Sequence, residues 1–153
     1  MGEDAPFAYF DTSALVKRYV AESGSVGVRR VLSQYGVISS PVARVEICSA
    51  LRRRRAEGLL SDAALRRVLG RVQADDTSWR FVALGDQVLA LARACVLEHP
   101  LRTLDAIHVA SAESLRRDGL SVPLVTADAR QAAAHARGLD VIDVRSEKTR
   151  ARS

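Results

Sequence analysis

Four carboxylates in this chain stand where an apolar run ends or a helical pattern begins. Asp11 directly follows Phe7-Ala8-Tyr9-Phe10 and precedes the hydroxyls of Thr12 and Ser13. Glu46 lies in Val42-Ala43-Arg44-Val45-Glu46-Ile47-Cys48-Ser49-Ala50-Leu51, amid an apolar helical stripe of Ala43, Ile47, Ala50 and Leu51. Asp105 falls in the first turn of a helix-patterned stretch, and Asp128 follows Val125-Thr126-Ala127. Each has an ordinary structural role open to it. Asp11 and Asp128 suit helix N-caps, and Asp105 suits the positive end of a helix dipole. Glu46 on an apolar face needs a cation, Arg or metal, because an isolated buried charge is costly. Arg44 cannot supply it, since helix residues two apart face different sides.

Strand end, helix face, helix start and strand end are places that a doubly wound sheet gathers at its carboxyl edge, where such sheets bind ligands. Four carboxylates brought together there repel by several kcal/mol unless a divalent cation sits between them. An all-oxygen donor set of that kind suits Mg²⁺ or Mn²⁺. Such ions activate water and stabilise the charge that develops when a phosphodiester is attacked in line. The chemistry indicated is that of a metal-dependent phosphohydrolase or nuclease.

Positioning these groups calls for a parallel sheet covered by helices on both faces. Strands are predicted at 7–10, 37–39, 81–84, 122–126 and 141–144, and helices at 12–20, 25–35, 41–56, 61–76, 86–98, 103–118 and 128–137. Ser61, Asp86 and Asp128 are placed to cap helix starts, and Gly36, Gly119 and Gly138 to form left-handed helix ends. The two helices between the second and third strands are joined only by Glu57-Gly58-Leu59-Leu60, which makes them a hairpin inserted on the sheet. No linker, composition break or repeat divides the chain. The expected architecture is an α/β, three-layer α/β/α domain over 7–145 with a mainly parallel five-stranded sheet, flanked by flexible ends at 1–6 and 146–153.

With 48% apolar and 27% charged residues, the 153-residue chain is suited to one globular core and unlike disordered, collagenous or coiled-coil sequences. Its formal charge of +5 comes from 23 basic residues, all Arg apart from Lys17 and Lys148. That permits an anionic partner, although GC-rich coding alone would also enrich Arg. The densest charge is on the hairpin, where Arg52, Arg53, Arg66 and Arg67 are candidates for attracting an RNA backbone. The plainer role for that cluster is a solvated face paired with Glu57 and Asp62. Aromatic residues make up only 5%, too few for a base-stacking platform. Cys48 and Cys95 form no C-x-x-C and are expected as small buried hydrophobes in a reducing cytosol. An acidic N-terminus and the lack of any apolar run near 18 residues lead to the expectation of a soluble cytoplasmic protein with no membrane partner. His99, His108 and His135 share no ligand spacing, and His108 is expected to pack rather than react.

Tyr9-Phe10-Asp11-Thr12-Ser13-Ala14-Leu15-Val16-Lys17, Arg44-Val45-Glu46, Leu104-Asp105-Ala106-Ile107-His108-Val109-Ala110 and Val125-Thr126-Ala127-Asp128 together resemble, in order and spacing, the motifs of PIN domains. The match runs over about 7–144 and is most similar to the VapC toxins of bacterial type II toxin–antitoxin pairs. This resemblance implies a ribonuclease in which Asp11, Glu46 and Asp105 bind Mg²⁺ or Mn²⁺, with Asp128 completing the acidic site more loosely, often through water. It implies that Thr12 or Ser13 and Thr126 support the site by hydrogen bonding. Similar toxins are homodimers bound in hetero-oligomers by a small VapB-like antitoxin that lays its C-terminal segment across the active-site groove and itself binds promoter DNA. The hairpin face around Val45, Leu51 and Leu65 is then a candidate antitoxin contact, unless it is core.

Two other classes fit less well. A non-catalytic doubly wound regulatory module of the receiver kind would want a lysine after the third or fourth strand, and none is there. A phosphohydrolase of small phosphate esters resembling haloacid dehalogenases would carry a second aspartate where Ser13 stands. No nucleophile-elbow, P-loop or dinucleotide motif is present either.

Overall fold

The structure is a computed structural model and describes residues 5–128 and 133–145. Strands β1 (Phe7–Phe10), β2 (Gly36–Ser39), β3 (Arg80–Phe81), β4 (Leu124–Thr126) and β5 (Val141–Asp143) form one sheet in the order β3-β2-β1-β4-β5. Every pairing is parallel, and in the centre Tyr9 lies between Ile38 and Leu124. Strand alternation sends Ala8 and Phe10 into one core and Tyr9 into another. The first core is closed by α1 (Thr12–Tyr19), α2 (Ser25–Gln34), α3 (Val42–Ala56) and α4 (Asp62–Asp76), the second by α5 (Asp86–Glu98) and α6 (Thr103–Arg117). The α/β/α layering expected from the sequence is therefore present.

This topology places the site. β2 lies on one side of β1 and β4 on the other, so strand order reverses at the β1/β4 pair, the crevice in which open α/β sheets hold ligands. Asp11 and Asp128 leave the sheet at that point. The α3–α4 hairpin packs Ile47, Leu51, Val68 and Val72 into the first core, which brings Glu46 alongside. Every residue of α6 from Asp105 to Ser114 is buried. Its small side chains Ala106, Ala110 and Ala112 let it lie close against its neighbours.

Several local expectations change. β3 is two residues rather than the predicted 81–84, because it is an edge strand and past Phe81 only the Val82 N–H, bonded to the Ser39 carbonyl at 2.9 Å, extends the pairing. β4 begins at Leu124 rather than Val122, since Pro123 has no N–H to donate. Gly36 opens β2 instead of ending α2; a Cβ there would sit 2.6 Å from the Phe7 ring, so the residue is chosen for space. Gly119 and Gly138 do take left-handed φ of 89° and 78°. Ser61 caps α4 through the Ala64 N–H at 3.1 Å, but Gly85 rather than Asp86 is the cap residue of α5. Asp86 is the first helical residue, where it faces the positive end of the dipole. Of the predicted helix 128–137, residues 129–132 lie outside the described residues and Ala133–Arg137 is a 3₁₀ turn. Of the flexible ends predicted at 1–6 and 146–153, residues 1–4 and 146–153 also lie outside them.

Cys95 is buried as expected, whereas Cys48 is exposed on the outer side of α3. The proposed hairpin contact face divides: Leu51 is fully buried core, Leu65 is half-buried, and Val45 is 73% exposed. Arg137 reaches back from the 3₁₀ turn to pair with Glu113 on α6 at 2.9 Å and with Glu98 on α5. No helix among the described residues is long and apolar enough to cross a membrane.

Candidate active site

Asp11 does two jobs at the end of β1. Its Oδ1 caps α1 by accepting the Ala14 N–H at 3.0 Å and the Ser13 hydroxyl at 2.6 Å. Its Oδ2 is buried with no hydrogen-bond partner. Burial in low dielectric raises the carboxyl pKa, against the lowering influence of His108, of the bonds from Ser13 and Ala14 and of the nearby Thr126 hydroxyl. The cap read from the sequence and the candidate functional carboxylate are thus the same residue.

An acid whose folded pKa is raised costs the folded state as pH climbs through the carboxylate range, because the unfolded chain ionises first. Without metal, Asp11→Asn is therefore expected to raise the melting temperature at neutral pH, by about 2–4 °C for each kcal/mol relieved. Calorimetry in EDTA checks this, and the gain must shrink as pH falls toward the ordinary aspartate range and be absent below it.

Glu46 projects from α3 to a set of hydroxyl and imidazole partners. Its Oε1 accepts the Thr12 hydroxyl at 2.8 Å and lies 2.6 Å from His108 Nε2. Burial works to raise its pKa, but the His108 hydrogen bond and charge, the Thr12 bond and the charge of Arg102 outweigh this and leave it lowered. His108 is buried, as expected, yet it contacts the carboxylate directly, so packing does not describe it fully. The signal available in the sequence was its place three residues after Asp105, hence on the same side of α6. Behind it, the Tyr9 hydroxyl lies 2.7 Å from His108 Nδ1. Neither Tyr9 nor Arg102 was foreseen.

Asp105 opens the buried run of α6, and its Oδ2 lies 3.4 Å from Arg102 Nε. Asp128 sits past β4, where its N–H donates to Thr126 Oγ1 at 3.0 Å. Ser13 Oγ in turn accepts the Ala127 N–H at 3.0 Å and lies 3.4 Å from Thr126 Oγ1. Hydroxyls from β4 and from the first turn of α1 thus tie the two strand ends together, in the places where the sequence put supporting groups.

These residues border an open cleft of about 700 Å³ whose walls include Thr12, Ser13, Glu46, Asp105, His108 and Asp128. Asp11 is buried next to the wall formed by its chain neighbours. Arg53 and Arg102 also line the cleft, together with the exposed apolar side chains of Val45 and Leu104. Arg54 is bound to Glu22, which also pairs with Lys17. Arg52, Arg66 and Arg67 are exposed outside the wall, and Arg55 pairs with Asp62.

Among the described residues no three His, Cys, Asp or Glu side chains gather closely enough on one point to hold a metal ion. Glu46 is turned to Thr12 and His108, and Asp105 leans toward Arg102. These contacts engage one oxygen of each side chain, Glu46 Oε1 and Asp105 Oδ2. The donor chemistry still fits a hard divalent cation, since Asp11 Oδ2 is an unpartnered buried oxygen and the other acids of the cleft offer only oxygen.

The chain belongs to the PIN domain family, whose model matches residues 8–137. Within that family it is VapC-like: it is 37% identical over 111 residues to Ribonuclease VapC46 of Mycobacterium tuberculosis, an alignment covering 72% of this chain and 77% of that protein. Two solved structures share the fold, each with a TM-score of 0.65 and 16% identity over 90% of this chain. They are a toxin–antitoxin complex from Klebsiella pneumoniae, matched over 97% of its chain, and FitAcB from Neisseria gonorrhoeae, matched over 98%.

Proposed function

We propose that this protein is a Mg²⁺- or Mn²⁺-dependent endoribonuclease acting in the cytoplasm as the toxin of a toxin–antitoxin pair. The observation that carries the reading is the buried, unpartnered Asp11 Oδ2 beside a cleft bearing Glu46, Asp105 and Asp128. The ribonuclease name of its 37% identical relative supports it. Asp11, Glu46 and Asp105 would hold the ion, with Asp128 completing the acidic set. A bound divalent ion supplies Lewis acidity and a more acidic water at a scissile phosphate. Thr12, Ser13 and Thr126 keep the carboxylates oriented, and Arg53 and Arg102 draw the RNA backbone into the cleft. Val45 and Leu104, apolar and exposed on the cleft walls, suit the segment of a small antitoxin that would cover the groove. A homodimer is the assembly that accompanies this reading.

The direct test is incubation of purified protein with total cellular RNA in Mg²⁺ or Mn²⁺ and, in parallel, in EDTA. Discrete fragments formed only with metal are the expected result; a small phosphate ester hydrolysed in place of RNA would refute the ribonuclease assignment. The arginines give a second, graded prediction. In a cleavage-inactive background, Arg53→Gln flattens the dependence of log affinity for single-stranded RNA on log salt by about 0.7, the contribution of one phosphate contact. A slope identical to that of the parent would place the RNA away from this wall.

A further inference from the structure

We propose that His108, with Tyr9 behind it, is a positioning pair that holds Glu46 in the orientation the site requires. This rests on the metal-site reading above. Tyr9 is wholly buried on β1, and His108 is 1% exposed on α6. The two rings meet edge to face with centroids 5.8 Å apart, so neither has room to turn. An ionised carboxylate oxygen only accepts, so the contact with Glu46 places an imidazole hydrogen on Nε2, and the Tyr9 hydroxyl lies 2.7 Å from Nδ1 on the other side of the ring. That N–H is aimed at Glu46 Oε1, 2.6 Å away, while the Thr12 hydroxyl donates to the same oxygen at 2.8 Å. Two donors therefore fix Oε1 from the protein side and leave Oε2 as the oxygen available to the cleft.

The burial pattern supports positioning rather than plain packing. A histidine serving only to fill the second core would be as well replaced by leucine, and a buried polar ring costs free energy unless both nitrogens are satisfied. Here both are satisfied, one by a residue with no exposure and the other by a carboxylate on the cleft wall. Partners that orient a metal-binding carboxylate in this way alter metal affinity or activity by about 10–100-fold when removed.

Direct Mn²⁺ titration of the full chain, followed by electron paramagnetic resonance, tests the idea without relying on turnover. His108→Leu is expected to weaken Mn²⁺ binding by about 10–100-fold. His108→Gln, whose amide nitrogen can occupy the place of Nε2, recovers most of the loss. Tyr9→Phe gives a smaller loss, because it frees the tautomer without removing the ring. The same order is expected in kcat with KM for RNA little changed. Near-ultraviolet circular dichroism certifies that each variant is folded, and ring ¹⁵N shifts in the wild type must report hydrogen on Nε2. Equal Mn²⁺ affinity in folded wild type and His108→Leu overturns the proposal while leaving the metal site standing. Tighter binding in His108→Leu also overturns it, since the imidazole would then compete with the ion. A wild type that binds no Mn²⁺ removes the metal-site reading and this inference together.

Discussion

Asp11→Asn is expected to lower RNA cleavage by at least about 1,000-fold in protein that remains folded. A divalent ion stabilises a phosphoryl transition state by several kcal/mol, and each 1.4 kcal/mol or so is a factor of ten in rate. The substitution keeps the atoms that hold the backbone, since the Asn oxygen can still accept from Ala14 and Ser13 as Oδ1 does. It replaces the one oxygen that has no partner, Oδ2, with an uncharged NH₂. The substitution is therefore expected to lower activity measured with metal and to raise stability measured without it. Addition of Mn²⁺ stabilises the wild type by mass action, about 2.7 kcal/mol at a hundred times its dissociation constant, and leaves Asp11→Asn unmoved. Gel assays and melting curves with and without Mn²⁺ check both halves. Full cleavage by Asp11→Asn would show that the activity belongs to a contaminant or to another site.

The second large effect concerns folding. Arg137→Met is expected to destabilise the protein by about 3 kcal/mol, because it leaves a buried carboxylate without its main cation. The Glu113 side chain is 4% exposed and that of Arg137 11%, so neither is stabilised by water when the pair is broken. The estimate takes the lower end for such pairs because Arg117 still reaches Glu113 at 3.2 Å. At about 2–4 °C per kcal/mol for a chain of this size, the melting temperature falls by about 6–12 °C. Glu113→Gln added to Arg137→Met should restore more than half of the loss, because it removes the stranded charge. A single-variant cost below about 1 kcal/mol would mean that the pair behaves as a surface contact.

How much could be read from the sequence depended on how local each cause was. Asp11 and Asp128 were legible because a strand end followed by a polar residue is a signal contained in a few positions. Glu46 was legible because a carboxylate amid Ala43, Ile47, Ala50 and Leu51 contradicts its surroundings, and all four are buried in the first core. The role of His108 was not, since its partners stand 62 and 99 residues away and no periodicity links them. Arg102 was missed because its place on the cleft wall and the reach of its charge to Glu46 are set by tertiary neighbours. The arginine run illustrates the same limit: Arg53 and Arg54 both border the cleft, yet Arg54 is engaged there by Glu22 and Arg55 is engaged by Asp62, a division set by tertiary neighbours. Gly36 was misassigned because its cause is the Phe7 ring rather than a turn.

The carboxylates come from opposite sides of the sheet: Glu46 from a helix of the first core, Asp105 and His108 from a helix of the second. A folding intermediate with only one layer docked would contain every acidic residue and still lack the site. Competence at the cleft therefore waits until the last layer closes. The same joint is a point of vulnerability, because any slip of one layer past the other by even an ångström or so separates Glu46 from His108 without unfolding either core. Hydrolytic competence is in this sense a readout of the registry between two packed halves, and anything that wedges them apart would disarm the enzyme without touching a single acid.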